Sequence, residues 1–460
     1  MKKIHLIAAC GTGMGTLACI LKEMGYSISG SDQNVYPPMS DFLNEKGIQL
    51  FAGYDPANLD PRPDLVIIGN AVTRQNVEAQ AVLQKGIPYI SMPQAVNRFI
   101  AKDKKIILVT GTHGKTTTAS IMAHILYTAG MDPSFMIGGI LKDFNSSFRI
   151  GSGDYMVIEG DEYDTAFFDK GPKFMHYDPD ITLMTGIEFD HADIFTDIDH
   201  IKAVFSRFVK KIEKKSHIIA FDNNDNLKEI LSGSTAAIET YGDRAQWFFS
   251  NHTQKESTTF FNVHGPGKQI SIETHLIGQH NLLNCLACMA AAHRIGITDT
   301  LVSRALKTFS GIKRRQEIRG VKHGITVMDD FAHHPTAVKE TIKAVKPFYK
   351  NGRVIAVFEP RTNTSMRNIF QSVYPDAFLD ADMVCICEPN IKKNIREQEK
   401  FSTLKLVADI EKNGVEAYHF KNSNRVIHFL VSKLSAGDLV LIMSNGGFDN
   451  IHVRLLEMIE

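Results

Sequence analysis

Short apolar runs separated by helix-length segments recur along the chain, and this pattern predicts an α/β fold with mainly parallel sheets. The runs predicted to be buried strands are 4–9, 27–29, 65–68, 106–108, 156–158, 182–187, 325–328, 353–358, 383–387 and 439–443. Residues 248–277 break the pattern because they are polar, rich in Thr and Ser, and interrupted by the turn-forming segment 264–267. This stretch predicts β hairpins at the edge of a domain.

The length of the chain predicts several domains, because 460 residues exceed what one hydrophobic core usually holds. A charged link at 101–105 separates the first α/β segment from the second, and Gly311 marks a second junction. We predict an N-terminal Rossmann-like domain at 1–103, a central P-loop ATPase-type parallel sheet at 104–311 and a C-terminal Rossmann-like domain at 312–460.

Charge and composition narrow the class of protein. Lys and Arg together number 51, as do Asp and Glu, and this balance gives no sign of a nucleic-acid or anionic-membrane partner. Gly11 soon interrupts the first apolar run, which predicts a buried strand instead of a signal peptide, and no run approaches a membrane span. We expect a cytoplasmic protein with buried thiols, and a zinc site joining Cys285 and Cys288 to Cys385 and Cys387 is the alternative.

The segment after the apolar run 106–108 carries the clearest chemistry. A glycine-rich turn lies between this predicted strand and a helix-like run at 119–126. Backbone N–H groups of such a turn, together with the helix dipole, attract phosphate oxygens. Lys115 can reach the β- and γ-phosphates and Thr116 can ligate Mg²⁺, although a complete Walker A motif would have glycine in place of Val109. The predicted nucleoside triphosphate site is formed by Gly111, Thr112, His113, Gly114, Lys115, Thr116 and Thr117.

A second glycine-rich turn follows the first predicted strand, and an acidic residue lies about twenty positions further on, as in dinucleotide-binding folds. The pattern is weak on its own, because Ala8 and Cys10 stand where a strict motif has glycine. A residue after the strand 65–68 is expected to face the same cleft. The candidate ligand-binding residues of this region are Gly11, Thr12, Gly13, Met14, Gly15, Ser31, Asp32 and Asn70.

Acidic clusters follow two further predicted strands, at 159–164 and at 188–193, and the second cluster contains His191. Carboxylates at strand ends downstream of a phosphate-binding turn suit Mg²⁺, which takes oxygen ligands and bridges phosphates. A solvated acidic loop is the alternative for either cluster alone. Together they predict metal binding or the reacting centre.

These motifs, taken in order, resemble the Mur ligase family over essentially the whole chain. The matching segments are 111–116, Glu159, 188–191, 278–284, 314–317 and 329–335. Several motifs in a fixed order are more specific than any one of them. The resemblance implies three domains: the first binds a UDP-sugar, the central one binds ATP with Mg²⁺, and the last binds the incoming substrate.

Within the family, the chain resembles the branch that uses UDP-N-acetylmuramate itself, where one member adds L-alanine and another adds a recycled tripeptide. The segments similar to the tripeptide-adding member are 34–40, 162–170, 189–195, 359–364 and 443–448. This resemblance implies that ATP converts the lactyl carboxylate to an acyl phosphate. The amine of L-alanyl-γ-D-glutamyl-meso-diaminopimelate then attacks the acyl phosphate in cell-wall recycling, and ADP and phosphate are released. An L-alanine ligase is the alternative, and a sensor of UDP-sugar and ATP is a more distant one.

The resemblance also implies roles for single residues. The implied catalytic residues are Lys115, Glu159, His191 and His333. The implied metal ligands are Thr116 and Glu159 for the ion on ATP and His191 for a second ion. The residues implied to hold the nucleotide outside the turn are Asn281, Arg315 and Asp330. Arg361 is expected either to bind a peptide carboxylate or to form a structural salt bridge. His334 is expected to pack or cap, and Arg314 is either a surface cation or part of the junction.

Some features depart from the family or stay open. Gly186 stands where relatives often have asparagine, Asp449 stands where glycine is usual, and 205–207 offers no counterpart to the carbamylated lysine of some Mur ligases. An NAD-dependent oxidoreductase would use the first turn but leave Lys115 without a role. Because the ATP motifs lie on both sides of Gly311, we expect closure of the domains when substrates bind. The third-position diamino acid, the need for a monovalent cation and the choice between monomer and dimer stay open.

Overall fold

Five strands and four helices form the first part of the chain. Their bounds are β1 Lys3–Ile7, α1 Thr12–Glu23, β2 Ser27–Asp32, α2 Met39–Glu45, β3 Gln49–Ala52, β4 Leu65–Ile68, α3 Val77–Gln84, β5 Tyr89–Ser91 and α4 Met92–Phe99. The strands pair in parallel in the order β3-β2-β1-β4-β5. This is the order of the dinucleotide-binding fold, and it places the carboxyl ends of β1, β2 and β4 at one edge.

The next segment forms a seven-stranded sheet and a separate hairpin. The bounds are β6 Lys105–Thr110, α5 Lys115–Thr128, β7 Ser134–Leu141, β8 Ser146–Arg149, β9 Tyr155–Gly160, β10 Asp164–Ala166, β11 Asp169–Pro172, β12 Ile181–Met184, α6 Ile198–Lys211, β13 His217–Phe221, α7 Asp225–Leu231 and β14 Ala237–Tyr241. The order is β14-β13-β12-β6-β9-β7-β8, with β8 antiparallel to β7, and β10 pairs with β11. Strand β6 is apolar because it lies at the centre of this sheet, where it is buried on both faces.

The polar segment 248–277 forms the predicted hairpins, and two helices follow it. The bounds are β15 Phe248–Lys255, β16 Thr258–Gly265, β17 Lys268–Thr274, α8 Gln279–Ile295 and α9 Asp299–Thr308. The three strands pair antiparallel in chain order. The prediction of hairpins is confirmed.

The last segment forms a six-stranded sheet with helices. The bounds are β18 Glu317–Lys322, β19 Ile325–Asp330, α10 Pro335–Val345, β20 Val354–Phe358, α11 Tyr374–Ala377, β21 Met383–Cys387, α12 Thr403–Lys412, β22 Glu416–Phe420, α13 Ser423–Val431, β23 Leu439–Met443 and α14 Ile451–Met458. The order is β18-β19-β23-β20-β21-β22, and β18 is the antiparallel edge strand. Two apolar clusters cover the two faces of this sheet. The predicted α/β class is confirmed.

The computed structural model describes residues 2–35, 39–255, 257–389 and 395–459, so part of the segment 34–40 lies outside the described residues. The chain forms two units, one with residues 1–187, 201–247 and 287–305 and the other with residues 188–200, 248–286 and 306–460. The first two sheets therefore share one unit, where the Asn97 amide donates to the His176 carbonyl at 2.6 Å. The predicted bounds at 103/104 and 311/312 stay a prediction. Within the described ranges, no helix is both long and apolar enough to cross a bilayer.

The cysteines proposed as alternative zinc ligands are buried and form no disulfide. Burial raises the pKa of the Cys285 thiol to about 12, and burial together with Glu359 raises that of Cys387 to about 12. Among the described residues, no group of three or more side chains close enough to hold a metal ion includes these cysteines. Neutral buried thiols remain the better interpretation.

Candidate active site

The phosphate-binding turn predicted from the sequence lies between β6 and α5. Gly111 has a φ of 124°, and Gly114 has a φ of 78°. A Cβ on Gly111 would lie 2.6 Å from Thr185 Oγ1 and 2.8 Å from the Gly186 carbonyl oxygen. The turn approaches the segment after β12 so closely that glycine is required at 111.

The other residues predicted to bind phosphate lie just before α5 and in its first turn. Thr116 is buried, and the Thr112 N–H donates to the Gly186 carbonyl at 2.8 Å. The half-buried residues of this segment are Thr112, His113, Lys115 and Thr117. The N-terminus of this 14-residue helix supplies the N–H groups and the partial positive charge that bind anions.

Lys115 is held by carbonyl groups and by a carboxylate that the sequence analysis did not single out. Its ammonium donates to both oxygens of Glu162 at 2.8 Å, to the Gly111 carbonyl at 2.6 Å and to the Thr112 carbonyl at 3.3 Å. Burial alone would lower the pKa of Lys115, but Glu162, with smaller effects from Asp161 and Glu159, raises it. Lys115 is therefore a half-buried cation held by a buried anion, since the Glu162 side chain is 4% exposed.

The two residues predicted to hold the metal on ATP contact each other. The Thr116 hydroxyl donates to Glu159 Oε2 at 3.2 Å, and the Gly138 N–H donates to Glu159 Oε1 at 2.7 Å. A hydroxyl and a carboxylate at the start of a phosphate-binding helix are ligands that suit Mg²⁺. The residues present therefore fit this ion.

Asp161, between Glu159 and Glu162, has a different partner. It forms an ion pair with Lys173, and it accepts a hydrogen bond from the Tyr163 N–H at 3.4 Å. Burial would raise the pKa of Asp161, but Lys173, and then Lys115, lower it below its ordinary value. Glu159 at the end of β9 and the two acids after it therefore have different nearest partners: Thr116 for Glu159, Lys173 for Asp161 and Lys115 for Glu162.

In the first sheet, the glycine-rich turn is fastened to the end of β2. The Ser31 carbonyl accepts hydrogen bonds from the N–H groups of Ala8 and Ala9 at 2.9 and 3.0 Å. Asp32 accepts from the Cys10 N–H at 2.9 Å and from the Asn34 N–H at 3.0 Å. Asp32 thus shapes the turn directly, which its predicted role in ligand binding did not include.

The other candidates of this turn lie at the carboxyl edge of the sheet. Gly11 precedes α1, and Thr12, Gly13, Met14 and Gly15 form its first turn. Met14 and Gly15 are buried, whereas Gly11 and Thr12 are exposed. Asn70 lies on the surface just after β4.

A buried polar cluster that the sequence analysis missed lies behind this turn. Glu78 Oε1 contacts His5 Nε2 at 2.5 Å and accepts from the Ser31 hydroxyl at 3.0 Å. Its other oxygen accepts from the Asn58 amide at 3.3 Å. The sequence gives no signal for these contacts of Glu78, because its partners lie on other elements that are distant along the chain.

The second unit brings His191, His333 and Asp190 together. His191 has a φ of 54°, and its N–H donates to Asp190 Oδ1 at 2.7 Å. His333 Nε2 lies 4.0 Å from Asp190 Oδ2, and His333 Nδ1 donates to the Phe331 carbonyl at 3.0 Å. Burial opposes the charge of Asp190, but His191, His333 and His334 lower its pKa to about 2. Beside them, a cavity of about 430 Å³ is lined by residues 189, 192–196 and 369.

His334 caps helix α10, as the sequence analysis expected. Its Nδ1 accepts a hydrogen bond from the Thr336 N–H at 3.2 Å, and its Nε2 donates to the Phe189 carbonyl at 3.2 Å. Both ring nitrogens are therefore engaged in structural contacts.

The three residues predicted to hold the nucleotide outside the turn lie in one cluster of the second unit. The Asn281 amide donates to Gln316 Oε1 at 3.1 Å, and the Gln316 N–H donates to Asp330 at 2.8 Å. The Arg315 guanidinium lies 4.6 Å from the centre of the Phe331 ring. Burial raises the pKa of Asp330, while Arg315 and two N–H donors act in the opposite direction. Gln316 links the cluster, although the sequence analysis gave it no role.

Arg361 follows β20 in the chain, and its side chain packs against the glycine loop after β23. Its guanidinium lies 3.7 Å from Glu359 and is half exposed, and a Cβ on Gly446 would collide with it. The Ser444 hydroxyl donates to Glu359 at 2.6 Å. Arg361 therefore has both a salt-bridge partner and an accessible guanidinium.

Arg314 is tied to the same loop. It donates to the carbonyl groups of Ser444 at 2.7 Å and Gly446 at 2.6 Å, and it lies 3.4 Å from the buried Asp329. These contacts hold the guanidinium in place, while 31% of the side chain stays exposed.

Comparison with known proteins identifies the family. The model described as the catalytic domain of the Mur ligase family matches residues 3–104, the Mur ligase middle domain matches 109–292, and the glutamate ligase domain of Mur ligases matches 314–446. The UDP-N-acetylmuramate–L-alanyl-γ-D-glutamyl-meso-2,6-diaminoheptandioate ligase of Escherichia coli strain K12 is 40% identical over 459 residues, covering 99% of this chain and 98% of the relative. The chain belongs to the Mur ligase family.

Other relatives extend over the same length. The crystal structure of a murein peptide ligase from Psychrobacter arcticus 273-4 has 34% identity and a TM-score of 0.74, covering 100% of this chain and 99% of that one. The UDP-N-acetylmuramate–L-alanine ligase of Clostridium acetobutylicum is 32% identical, covering 97% of this chain and 95% of the relative. This Mur ligase is thus an ATP-dependent enzyme that forms amide bonds between small molecules.

The departures from the family pattern have local explanations in this Mur ligase. Gly186 has a φ of 113°, and a Cβ there would lie 3.7 Å from the Asn224 amide nitrogen, which donates to the Ile187 carbonyl. Asp449 has a φ of 48°, a region where glycine is usual and Asp is tolerated, and its carboxylate accepts from Ser423 at 3.0 Å. This carboxylate is therefore directed to helix α13.

The predicted site residues fall into four groups of contacts. Thr116 and Glu159 meet beside Lys115, and the N-terminal turn residues meet at the edge of the first sheet. His191 meets His333 through Asp190, and Asn281, Arg315 and Asp330 form the fourth group. The first two groups belong to one unit and the last two to the other. The roles of these residues stay predictions.

Proposed function

We propose that this Mur ligase joins the carboxylate of UDP-N-acetylmuramate to the amine of L-alanyl-γ-D-glutamyl-meso-diaminopimelate, with conversion of ATP to ADP and phosphate, in cell-wall recycling. The observation that carries the choice of acceptor is the full-length similarity to the tripeptide ligase, which exceeds that to the L-alanine ligase. The phosphate-binding turn with Lys115 supports the use of ATP. The fold of the first sheet supports binding of a nucleotide sugar at its carboxyl edge.

In the first step, the lactyl carboxylate attacks the γ-phosphorus of ATP to give an acyl phosphate and ADP. Lys115 and the N–H groups at the start of α5 bind the phosphate oxygens and offset the charge that shifts to the leaving group. Thr116 and Glu159 would hold Mg²⁺, whose charge neutralises phosphate oxygens when it is bound. Asn281, Arg315 and Asp330 are proposed to bind the rest of the nucleotide.

In the second step, the peptide amine attacks the acyl carbon and phosphate leaves from the tetrahedral intermediate. His191 and His333, on either side of Asp190, are proposed to orient the amine and the departing phosphate, with His191 also a ligand for a second metal. Arg361 is proposed to bind a carboxylate of the peptide, because guanidinium groups pair with carboxylates through two hydrogen bonds.

The decisive experiment is phosphate release with ATP, Mg²⁺ and UDP-N-acetylmuramate, with either the tripeptide or L-alanine as acceptor. We expect turnover with the tripeptide, and a product mass that corresponds to the joined substrates. Turnover with L-alanine alone would assign the enzyme to the first step of peptide assembly. ATP binding without amine-dependent turnover would support the sensor.

We also propose a cytoplasmic enzyme that is a monomer or dimer and has no nucleic-acid or membrane partner. The balanced charge of the chain supports this proposal, since it gives no electrostatic attraction to polyanions. Light scattering after size exclusion, with and without added DNA or anionic vesicles, tests the oligomeric state and the absence of these partners. A shift of the protein to the vesicle or DNA fraction would contradict it.

A further inference from the structure

The Lys115 ammonium is surrounded by more acceptors than it has hydrogens. An ammonium group has three N–H donors. Four oxygens lie within 3.3 Å of Nζ: both carboxylate oxygens of Glu162 and the carbonyl oxygens of Gly111 and Thr112. The ammonium is thus directed onto its own loop and onto Glu162.

The sheet register explains why Glu162 reaches the lysine. Strands β6 and β9 pair in parallel, with Val109 opposite Glu159 and Thr110 opposite Gly160. The segment after β9 therefore runs beside the start of the phosphate-binding turn. The Glu162 side chain is 4% exposed, and that of Lys115 is 15% exposed. The contact is therefore largely shielded from water, where a charge-assisted hydrogen bond is strong.

We propose that Glu162 competes with the nucleotide phosphates for the Lys115 ammonium, so that binding of ATP exchanges one anion for the other. Glu162 is then a positioning residue that sets nucleotide affinity. The inference rests on the proposed ATP site. It adds a residue for which that proposal has no role.

The negative charges of Glu162 and of the triphosphate favour exchange of one for the other on Lys115 over simultaneous binding of both. The triphosphate is an anion, and a buried carboxylate near its oxygens repels it. With the loop carbonyls as further acceptors, the three N–H donors of Lys115 cannot fully satisfy Glu162 and the phosphates together. A ligand that must break an existing contact binds more weakly by the free energy of that contact. Removing the Glu162 charge should therefore strengthen nucleotide binding.

The opposite role makes the opposite prediction. If Glu162 stayed on Lys115 and aimed it at the phosphates, loss of the carboxylate would weaken binding. A role in stability alone would lower the melting temperature and leave affinity unchanged. The direction of the change in affinity therefore separates the three cases.

The experiment is calorimetric titration of the full chain with a non-hydrolysable ATP analogue and Mg²⁺, at one pH and one salt concentration. Glu162→Gln keeps the side-chain size and removes the charge. We expect its Kd to fall by about tenfold, the scale of one charge-assisted hydrogen bond. We also expect its melting temperature to fall, because Lys115 loses its buried partner. Tighter binding by a less stable protein does not follow from structural damage.

Asp161→Asn is the matched control. Asp161 is a half-buried acid in the same segment, but its lysine partner is Lys173, outside the phosphate-binding turn. We expect this variant to lose stability while its Kd stays within about twofold of the wild type, since no contact to Lys115 is lost. If Asp161→Asn tightened binding as much as Glu162→Gln, the loss of any negative charge near the site would explain the effect, and the exchange would be overturned.

A second variant keeps the test decisive if Glu162→Gln does not fold. Glu162→Asp retains the charge but shortens the reach by one methylene, so we expect binding tighter than wild type by a smaller factor. Unchanged or weaker binding by the variants would overturn the exchange while leaving the ATP site intact. A wild-type protein that does not bind the analogue would overturn the ATP site itself, and the exchange with it.

Discussion

At the scale of single residues, Lys115 has two separable functions in this Mur ligase. Its ammonium neutralises Glu162 in the folded protein, and it is proposed to neutralise phosphate during the reaction. A substitution at Lys115 therefore changes stability as well as turnover. The two effects can be separated, because Glu162 is the one carboxylate among the groups that accept hydrogen bonds from the ammonium.

We predict that Lys115→Ala lowers turnover by about 100-fold or more, the scale on which loss of one stabilising donor acts. The variant should still fold but lose about 1–3 kcal/mol of stability, because Glu162 is left buried without its cation. Adding Glu162→Gln to Lys115→Ala should restore part of that stability and none of the turnover. Chemical denaturation and phosphate release measure the two effects, and near-normal activity of Lys115→Ala would contradict the assignment.

Asp190 should make the acid stability of the protein dependent on one carboxylate. In the folded protein its pKa is lowered to about 2. As the pH falls, the carboxylate is therefore protonated first in the unfolded chain, near pH 4. Its contribution, about 2 kcal/mol, is present above pH 5 and is lost as the pH falls from about 4 to 2.

The free energy of unfolding is measured from about pH 2.5 to about pH 7 for the wild type and for Asp190→Asn. We expect the difference between them to be constant above pH 5 and to shrink below pH 4. The exposed Asp193→Asn serves as the control, because it lies in the same loop. A difference that does not depend on pH would contradict the role of Asp190.

At the scale of elements, the connection of β6 to α5 depends on Gly111. We predict that Gly111→Ala lowers the free energy of unfolding by about 3 kcal/mol, because the new Cβ would clash with the segment after β12 and the φ is unfavourable. Nucleotide binding should be lost with the turn. Gly130→Ala is the matched control at the other end of α5: its φ is 76°, but no atom lies within 4 Å of the new Cβ. Gly130→Ala should lower the free energy of unfolding by about 1 kcal/mol and leave nucleotide binding unchanged.

The loop after β23 offers a second matched pair. A Cβ on Gly446 collides with the Arg361 guanidinium, whereas one on Gly447 meets no atom within 4 Å. We predict that Gly446→Ala raises the KM for the tripeptide by about tenfold, because a displaced guanidinium loses about one charge-assisted contact. Gly447→Ala should leave the KM unchanged. Steady-state kinetics with varied tripeptide at saturating ATP test this, and equal KM values for both variants would contradict the role of Arg361.

At the scale of the whole molecule, the sequence predicts elements better than it predicts partners. Strands 383–387 and 439–443 have their predicted bounds because each is apolar throughout. Strand β19 continues through Asp329 and Asp330, beyond its predicted end, because buried acids with polar partners interrupt an apolar run without ending the strand. The pairing of Lys115 with Glu162 depends on the register of two strands that are distant in sequence. No local pattern encodes that register.

The distribution of the predicted ATP residues between the two units leads to the last prediction. Lys115 and Glu159 belong to the first unit, while Asn281, Arg315 and Asp330 belong to the second. The family resemblance implies that all of these residues bind one nucleotide. Binding energy from the nucleotide and the sugar substrate would then stabilise a closed arrangement. We expect the radius of gyration to fall when both ligands are added.

Small-angle scattering of the full chain, with a non-hydrolysable ATP analogue and UDP-N-acetylmuramate added singly and together, measures this change. The control is Lys115→Ala, which should not contract at a ligand concentration that saturates the wild type. An unchanged radius in the fully liganded wild type would mean that one arrangement of the units serves both the free and the bound enzyme. Contraction of Lys115→Ala to the same extent would mean that the phosphate contact does not drive closure. Asn281, Arg315 and Asp330 would then have to act independently of the contact between Lys115 and phosphate.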